Sequence, residues 1–415
     1  LARAFGGGFR VSSEKTDRKK NKGRINMKKE PRKALRFIVF FILILLLMQG
    51  CTPKEPIPSV VPEPVVEEPT HKEFTFVAVG DNLIHYPIYD YAKKMGGDHY
   101  DFRSSYAAME EVMQKADIAF LNQEVTVAGE EYKISSYPLF NSPKELAADM
   151  AHLGIDVVNQ ASNHALDSGF QALVESWKLW NSLELQVVGF FSEELGPIQF
   201  IERDEVRFAF LGYNYGLNGF LVEDWQGYGM TFLEDKEQIL SDVRLAKTLA
   251  DFVIVSFHWG NEYSTQPNQQ QQDLARLLAN ENVDLIIGHH PHVIQPVEFL
   301  KRQDGKSMPV FYSLGNFISN QLDTINLLGG MAYLRFVIDG EITSVESPQL
   351  IPLVTHYDSN FQATRVLFLQ DYTNALATTH GIHDYGISFS KEILTAIFEE
   401  IIPEAFRGTP PQSLE

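Results

Sequence analysis

The segment Gly288-His289-His290-Pro291-His292-Val293 sets three imidazoles within four positions. It follows the apolar run Val283-Asp284-Leu285-Ile286-Ile287, which reads as a buried strand. Neutral imidazole is the commonest nitrogen ligand for transition metals, and burying several without partners is unfavourable. Open α/β sheets place their ligands in the loops just past the carboxyl ends of the strands. A lone His pair would read as a solvated turn. Here, metal-type residues recur at four other strand ends: Asp81 after residues 74–79, Glu124 after 116–121, Asn163 after 156–158, and His258 after 252–257.

Asp81, Glu124, Asn163, His258, His290 and His292 together suit two adjacent divalent ions. Carboxylates bring charge and can bridge, imidazoles bring nitrogen, and an amide brings a neutral oxygen. Two such ions clamp a phosphoryl group and generate hydroxide near neutral pH. His164, next to Asn163, is then free to serve as general acid to the leaving oxygen. Each residue has a plainer alternative. Asp81 reads as a strand-to-loop cap, Glu124 as a solvated carboxylate, Asn163 as a helix cap and His258 as a core histidine. The coincidence at strand ends carries the case. His85 and His289 are read as standing behind the ligands, and His152, His356, His380 and His383 as solvated.

The elements that must position these groups alternate. Strands are expected near 187–188, 207–211 and 310–314 as well. Helices are expected from 143 to about 153, 170–183, 235–250 and 269–280, the first opened by a capping box at Ser142-Pro143-Lys144-Glu145 with Pro143 at the first helical position. Strand–helix alternation implies a largely parallel α/β sheet, and a tight hairpin at 332–338 and 342–345 adds antiparallel strands. The tail from about 356 carries one amphipathic helix, 391–402.

Charge is distributed unevenly along the 415 residues. Residues 1–50 hold 13 basic and 3 acidic groups of the 35 and 54 in the chain, so the remainder holds 22 and 51 and carries −29. So acidic a body argues against a general nucleic-acid binder, and an anionic substrate would need a local cation such as a metal. The single cysteine, Cys51, excludes an intrachain disulfide and a Cys-based zinc site. A basic stretch from Met27 to Arg36, twelve apolar residues at 37–48 and Gln49-Gly50-Cys51 follow the plan of a secretory signal, short of the ~20 residues that span a bilayer. Gly50-Cys51 resembles a bacterial lipoprotein signal, with Cys51 lipidated; the alternative is a plain anchor. Residues 1–26 are read as an over-extended start, 27–51 as the signal, 52–72 as a Pro/Glu-rich stalk, 73–355 as the folded domain and 356–415 as a C-terminal extension.

Six ordered motifs carry a resemblance: Gly80-Asp81, Asn122-x-Glu124, Ala161-Ser162-Asn163-His164-x-x-Asp167-x-Gly169, His258-Trp259-Gly260-x-Glu262-Tyr263, the His-rich segment, and Ser313-Leu314-Gly315-Asn316-Phe317. Together they resemble the CapA-type bacterial capsule-synthesis family, associated with poly-γ-glutamate and similar to calcineurin-like metallophosphoesterases. The resemblance implies a four-layer α/β/β/α sandwich with mixed sheets. Leu83 stands where the phosphoesterase pattern usually has His, and Glu124 where it has a bridging Asp, which implies a weaker or differently built metal position. Trp259, Glu262 and Tyr263 are expected at the site rim and Asn316 at its floor, as substrate-binding residues. The implied function is a lipid-anchored hydrolase-like protein on the extracytoplasmic face of the cell membrane. It would use divalent metal (Mn, Zn or Fe), act on an anionic polymer such as poly-γ-glutamate or on a phosphoester, and work beside membrane capsule-synthesis proteins. The alternative is a non-catalytic, polymer-binding scaffold.

Overall fold

The computed structural model describes residues 71–411. The expectations for residues 1–70, including Cys51 and the signal, lie outside them. Among the described residues no helix is long and apolar enough to cross a membrane.

Two mixed sheets face each other. In the first, β1 (His71–Asn82), β2 (Ile118–Asn122), β3 (Val157–Asn159) and β4 (Gln186–Val188) run parallel. On the other side of β1 lie β14 (Leu328–Asp339), β15 (Ile342–Asp358) and β16 (Gln362–Phe368), all antiparallel, while β13 (Asn316–Ile318) pairs with the end of β1. In the second sheet β7 (Val206–Asn214), β9 (Phe252–His258), β10 (Leu285–His289) and β12 (Ser307–Phe311) are parallel. It is edged by antiparallel β6 (Gln199–Arg203) and β11 (Val297–Lys301). A separate ribbon joins β5 (Phe191–Ser192) to β8 (Tyr228–Gly229).

Side-chain alternation along the strands builds the layers. Phe76 and Ala78 of β1 point between the sheets, where they join Phe120, Phe210, Ile254, Leu285 and Phe336. Val77 and Val79 point the other way, against α1 (Tyr86–Gly96), α2 (Arg103–Tyr106), α3 (Glu110–Lys115), α4 (Glu145–Leu153) and α5 (Phe170–Ser182), through Ile88, Tyr106, Met113, Met150 and Trp180. Across the second sheet, Val255, Phe257 and Val310 meet Ile239 and Val243 of α6 (Lys236–Leu249) and Leu274 and Leu278 of α7 (Gln269–Asn280). The result is the expected α/β/β/α sandwich. Because both faces of the parallel strands are covered, those strands are continuous apolar runs, and this made them readable in the sequence.

Several details differ from expectation. The capping box at Ser142 does not form: α4 starts at Glu145 without a side-chain cap, and the Ser142 hydroxyl has no partner. Ser142 N–H is bound to Thr126 O at 2.9 Å, and Glu145 Oε1 accepts from Tyr100 N–H, so tertiary contacts claim both ends of the motif. Helices α1 to α3 are additional to the expected elements; α2 and α3 span only four and six residues. The boundary drawn at residue 355 falls inside β15, and α8 (Asn374–Thr379) and α9 (Lys391–Ile401) cover the open end of the inter-sheet core with Ala377, Leu394 and Phe398. His356 and His380 are therefore buried, not solvated: His356 Nδ1 lies 2.6 Å from Tyr372 Oη, and His380 Nε2 lies 3.2 Å from Thr355 O. His152 and His383 are exposed. The β14–β15 hairpin closes through Gly340-Glu341, as expected.

Candidate metal centre

The carboxyl ends of the parallel strands are in register. Asp81 pairs with Asn122, Asn122 with Asn159, and His258 with His289. The two sheets meet at these ends, where His290 N–H reaches the Asp81 carboxylate at 3.3 Å. Such close approach demands glycine at two places. A Cβ on Gly80 would stand 1.9 Å from Gly315 O, and one on Gly288 would stand 1.9 Å from Tyr312 O. The loop past β10 is also strained, with φ of 94° at His290 and 57° at His292. Non-glycine residues hold such angles where the surrounding structure imposes them, often at functional sites.

Three overlapping donor groups result: Glu124–His258–His290, Asp81–Glu124–His292 and Glu262–His290–His292, each with ligand atoms within 4.8 Å of one another. Glu124 belongs to two of them, so it sits where a bridging carboxylate would. His292 Nδ1 lies 3.1 Å from Asp81 Oδ2, and its Nε2 lies 3.5 Å from Glu124 Oε1. Both Glu124 oxygens, His258 Nδ1 and His290 Nδ1 are buried with no hydrogen-bond partner. A buried carboxylate left this way is costly, and a cation is the partner that nitrogen and oxygen lone pairs share. The residues present therefore fit a divalent metal.

Electrostatics follow from burial and crowding. Burial, then the Asp81, Glu262 and Asp167 carboxylates, push Glu124 well above the usual carboxylate range. Burial opposes charge on His292, yet Glu124 and Asp81 outweigh it and lift the imidazole to about 10. Burial would also raise Asp81, but the hydrogen bond and charge of His292 bring it below its ordinary value. In the metal-free centre the geometry favours imidazolium at His292 against ionised Asp81, with Glu124 the group short of a partner. Burial, with His292 charge beside it, presses His290 down to about 3, and burial puts His258 well below the usual histidine range. Neutral imidazole is the form that binds metal.

The family described as bacterial capsule synthesis protein PGA_cap matches residues 75–321. The chain belongs to that family. It is 27% identical over 306 residues to the PGA biosynthesis protein CapA of Bacillus subtilis, covering 71% of this chain and 77% of that protein. It is 27% identical over 308 residues to the capsule biosynthesis protein CapA of Bacillus anthracis, covering 72% of each. Among solved structures it is similar to a phosphatase from Mycoplasma pneumoniae, with TM-score 0.42 and 13% identity over 69% of this chain and 95% of that one. It is also similar to a 5'-nucleotidase precursor from Thermus thermophilus, with TM-score 0.41 and 14% identity over 79% and 59%.

In this PGA_cap member the remaining expected residues divide. His164 lines a cleft of about 420 Å³ beside the donors, as do Leu83, His85, Glu262, Tyr263 and His292. His164 Nδ1 lies 2.7 Å from Asp167 Oδ2, which also accepts Phe140 N–H, so the carboxylate orients the ring and leaves Nε2 to the cleft. Asn163 Oδ1 faces His258 Nε2 at 2.8 Å, joining the centre as a hydrogen-bond partner of that imidazole. Trp259 is not at the rim. It is fully buried on the helix side of the second sheet, stacked on Phe257 and donating to Tyr312 O, because strand alternation turns it away from His258. Asn316 does not line the cleft either; its Oδ1 lies 3.1 Å from His292 Nδ1, beneath that ring. His289 is buried against Phe120, 3.8 Å from Asp81.

Sequence reasoning gave no role to Asp167, Asn122, Asn159, Tyr215 or Asn218. Asn159 Nδ2 donates to Asn122 Oδ1 and Asn122 Nδ2 to Asp81 Oδ1, both at 2.8 Å, a ladder that holds one Asp81 oxygen in place. Tyr215 covers His290 at 4.4 Å between ring centroids, and Asn218 accepts from Asn163. Asp167 sits three residues after His164 and the two asparagines end strands, so those signals were present. Nothing in the sequence marked Tyr215.

Proposed function

We propose that this chain is a metal-dependent hydrolase of anionic esters. It serves poly-γ-glutamate capsule biosynthesis, export or attachment from the outer face of the cell membrane, anchored through Cys51. The family and the relatives named for PGA and capsule biosynthesis support the capsule role. The anchor rests on the sequence of residues 27–51. The observation that carries the metal reading is Glu124: both oxygens buried, unpartnered and facing unpartnered imidazole nitrogens.

Divalent metal held by Asp81, Glu124, His258, His290 and His292 would neutralise charge on the ester and make water a nucleophile near neutral pH. Asn163 orients His258, and the Asn122 ladder orients Asp81. In the hydrolysis, the water oxygen bonds to phosphorus and releases a proton to solvent, the ester P–O bond breaks, and the departing oxygen takes a proton from His164 Nε2, which solvent restores. Asp167 holds the His164 ring in place for that transfer.

Elemental mass spectrometry of the purified full chain, paired with turnover of a generic phosphodiester, tests the reading. Bound metal, with turnover that collapses in His164→Ala at unchanged metal content, is the expected result. No metal after reconstitution with manganese, zinc or iron, or capsule output indifferent to His164→Ala, would replace this reading with the polymer-binding scaffold.

A further inference from the structure

The cleft beside His164 does not end at the donor groups. A second hollow of about 330 Å³ opens from it and shares Leu139, Asp167 and Phe220 with it. Beyond that junction the walls are Leu166, Phe170, Leu221 and Val222. Tyr137, Leu139, Phe220, Leu221 and Tyr263 are exposed around the junction, and Leu221 is 89% accessible. Large apolar side chains gathered at the mouth of a polar site mark a surface meant to be covered. The charge pattern is as one-sided. No lysine or arginine lines either hollow, whereas Glu262 faces the first and Glu223 and Asp224 rim the second; the Asp167 carboxylate between them is buried against His164.

We propose that the site takes a singly charged phosphodiester with an apolar substituent. The phosphoryl group lies at the donor cluster, and the substituent crosses Leu139 and Phe220 into the hollow before Leu166 and Phe170. The proposal rests on the hydrolase reading of the same cleft and narrows its substrate. A polyanionic strand laid along this path would set its carboxylates against Glu262, Glu223 and Asp224 with no lysine or arginine to meet them, and such like-charge contacts select against a ligand. A single negative charge needs only what the donor cluster supplies. The apolar substituent gains by leaving water, about fourfold in affinity for each fully buried methylene.

Isothermal titration of the full chain with O-alkyl methylphosphonates from ethyl to hexyl, monoanions that resist hydrolysis, tests this with and without Mn²⁺. Affinity is expected to rise at least tenfold from ethyl to hexyl, and the rise to flatten in Phe220→Ser and in Leu139→Ser. Both are exposed positions, so circular dichroism should match wild type. A flat series, a slope unchanged in both variants, or displacement of the hexyl ester by a γ-linked glutamate oligomer at lower concentration would each overturn the proposal. Turnover of bis(p-nitrophenyl) phosphate with a flat alkyl series rejects the substituent groove and leaves the hydrolase. A steep series without turnover of any diester upholds the ligand class and removes the hydrolase.

Discussion

Replacing Glu124 by Gln separates what the carboxylate costs the fold from what it gives the metal. Both oxygens are buried without a hydrogen-bond partner. The nearest positive group, His292 Nε2, is 3.5 Å away, and His292 already has Asp81 at 3.1 Å. The amide keeps the volume and removes the cost that the raised carboxyl meets on folding, whether it holds its charge in the core or takes up a proton to lose it. A buried polar group left unsatisfied costs ~1–3 kcal/mol, and a charged one more. In chelated protein, Glu124→Gln should therefore stabilise by about 1–3 kcal/mol, a rise of roughly 2–5 °C in Tm for a domain this large. With metal the order reverses. Wild type gains ~2.7 kcal/mol when free metal is 100 times Kd. The variant gains little, because the lost charge is common to two of the three donor groups. Thermal melts followed by circular dichroism, chelated and at rising Mn²⁺, read both effects. A chelated variant that melts several degrees below wild type, or one that metal stabilises as fully, refutes the reasoning.

Asp167→Asn should lower diester turnover by ~10²-fold or more at unchanged metal content, since it removes the carboxylate that orients His164; full activity in that variant would dismiss the pair. Asn122→Ala removes the donor to Asp81 Oδ1 and should weaken metal binding ~10–100-fold in a competition titration, with undiminished affinity counting against the ladder. Burial holds His356 near 4 and His380 near 3, below the ordinary 6.5, so the unfolded chain binds protons that the folded chain refuses. Their stabilisation is complete above pH 6.5 and is lost as pH falls toward those values, by up to about 2 kcal/mol each at pH 5. His356→Asn should flatten the loss of Tm between pH 7 and pH 5 relative to wild type, and a steeper loss in the variant would contradict the sign.

What could be read in advance was local. The strands 252–257 and 283–287 are apolar runs interrupted only by Ser256 and Asp284, and α7 has its amphipathic spacing within its own twelve residues and its cap just before them, Asn268 and Gln271 completing a capping box. What could not be read was settled by neighbours distant in the chain. Ser142 and Glu145 form no box because Thr126 and Tyr100 claim them first. Trp259 follows a candidate ligand in sequence, yet it packs against α7 and Tyr312 because successive strand residues face opposite ways. His356 and His380 stand in a polar-looking tail, and only the docking of β16, α8 and α9 buries them.

By itself the sequence determined which chemistry was on offer: acids, imidazoles and an amide placed one to five residues beyond apolar strands, where an α/β sheet presents its loops. That is local information, carried by the change from apolar run to polar loop. The tertiary structure decided which of these groups meet. Asp81, Glu124 and Asn163 come from one sheet and His258, His290 and His292 from the other. They converge because Phe76, Phe120, Phe210, Leu285 and Phe336 pack the two sheets face to face. The same packing removes water from Glu124 and leaves its oxygens without a hydrogen-bond partner. That vacancy in its bonding is the main physical reason to place a metal there, and no spacing along the chain encodes it.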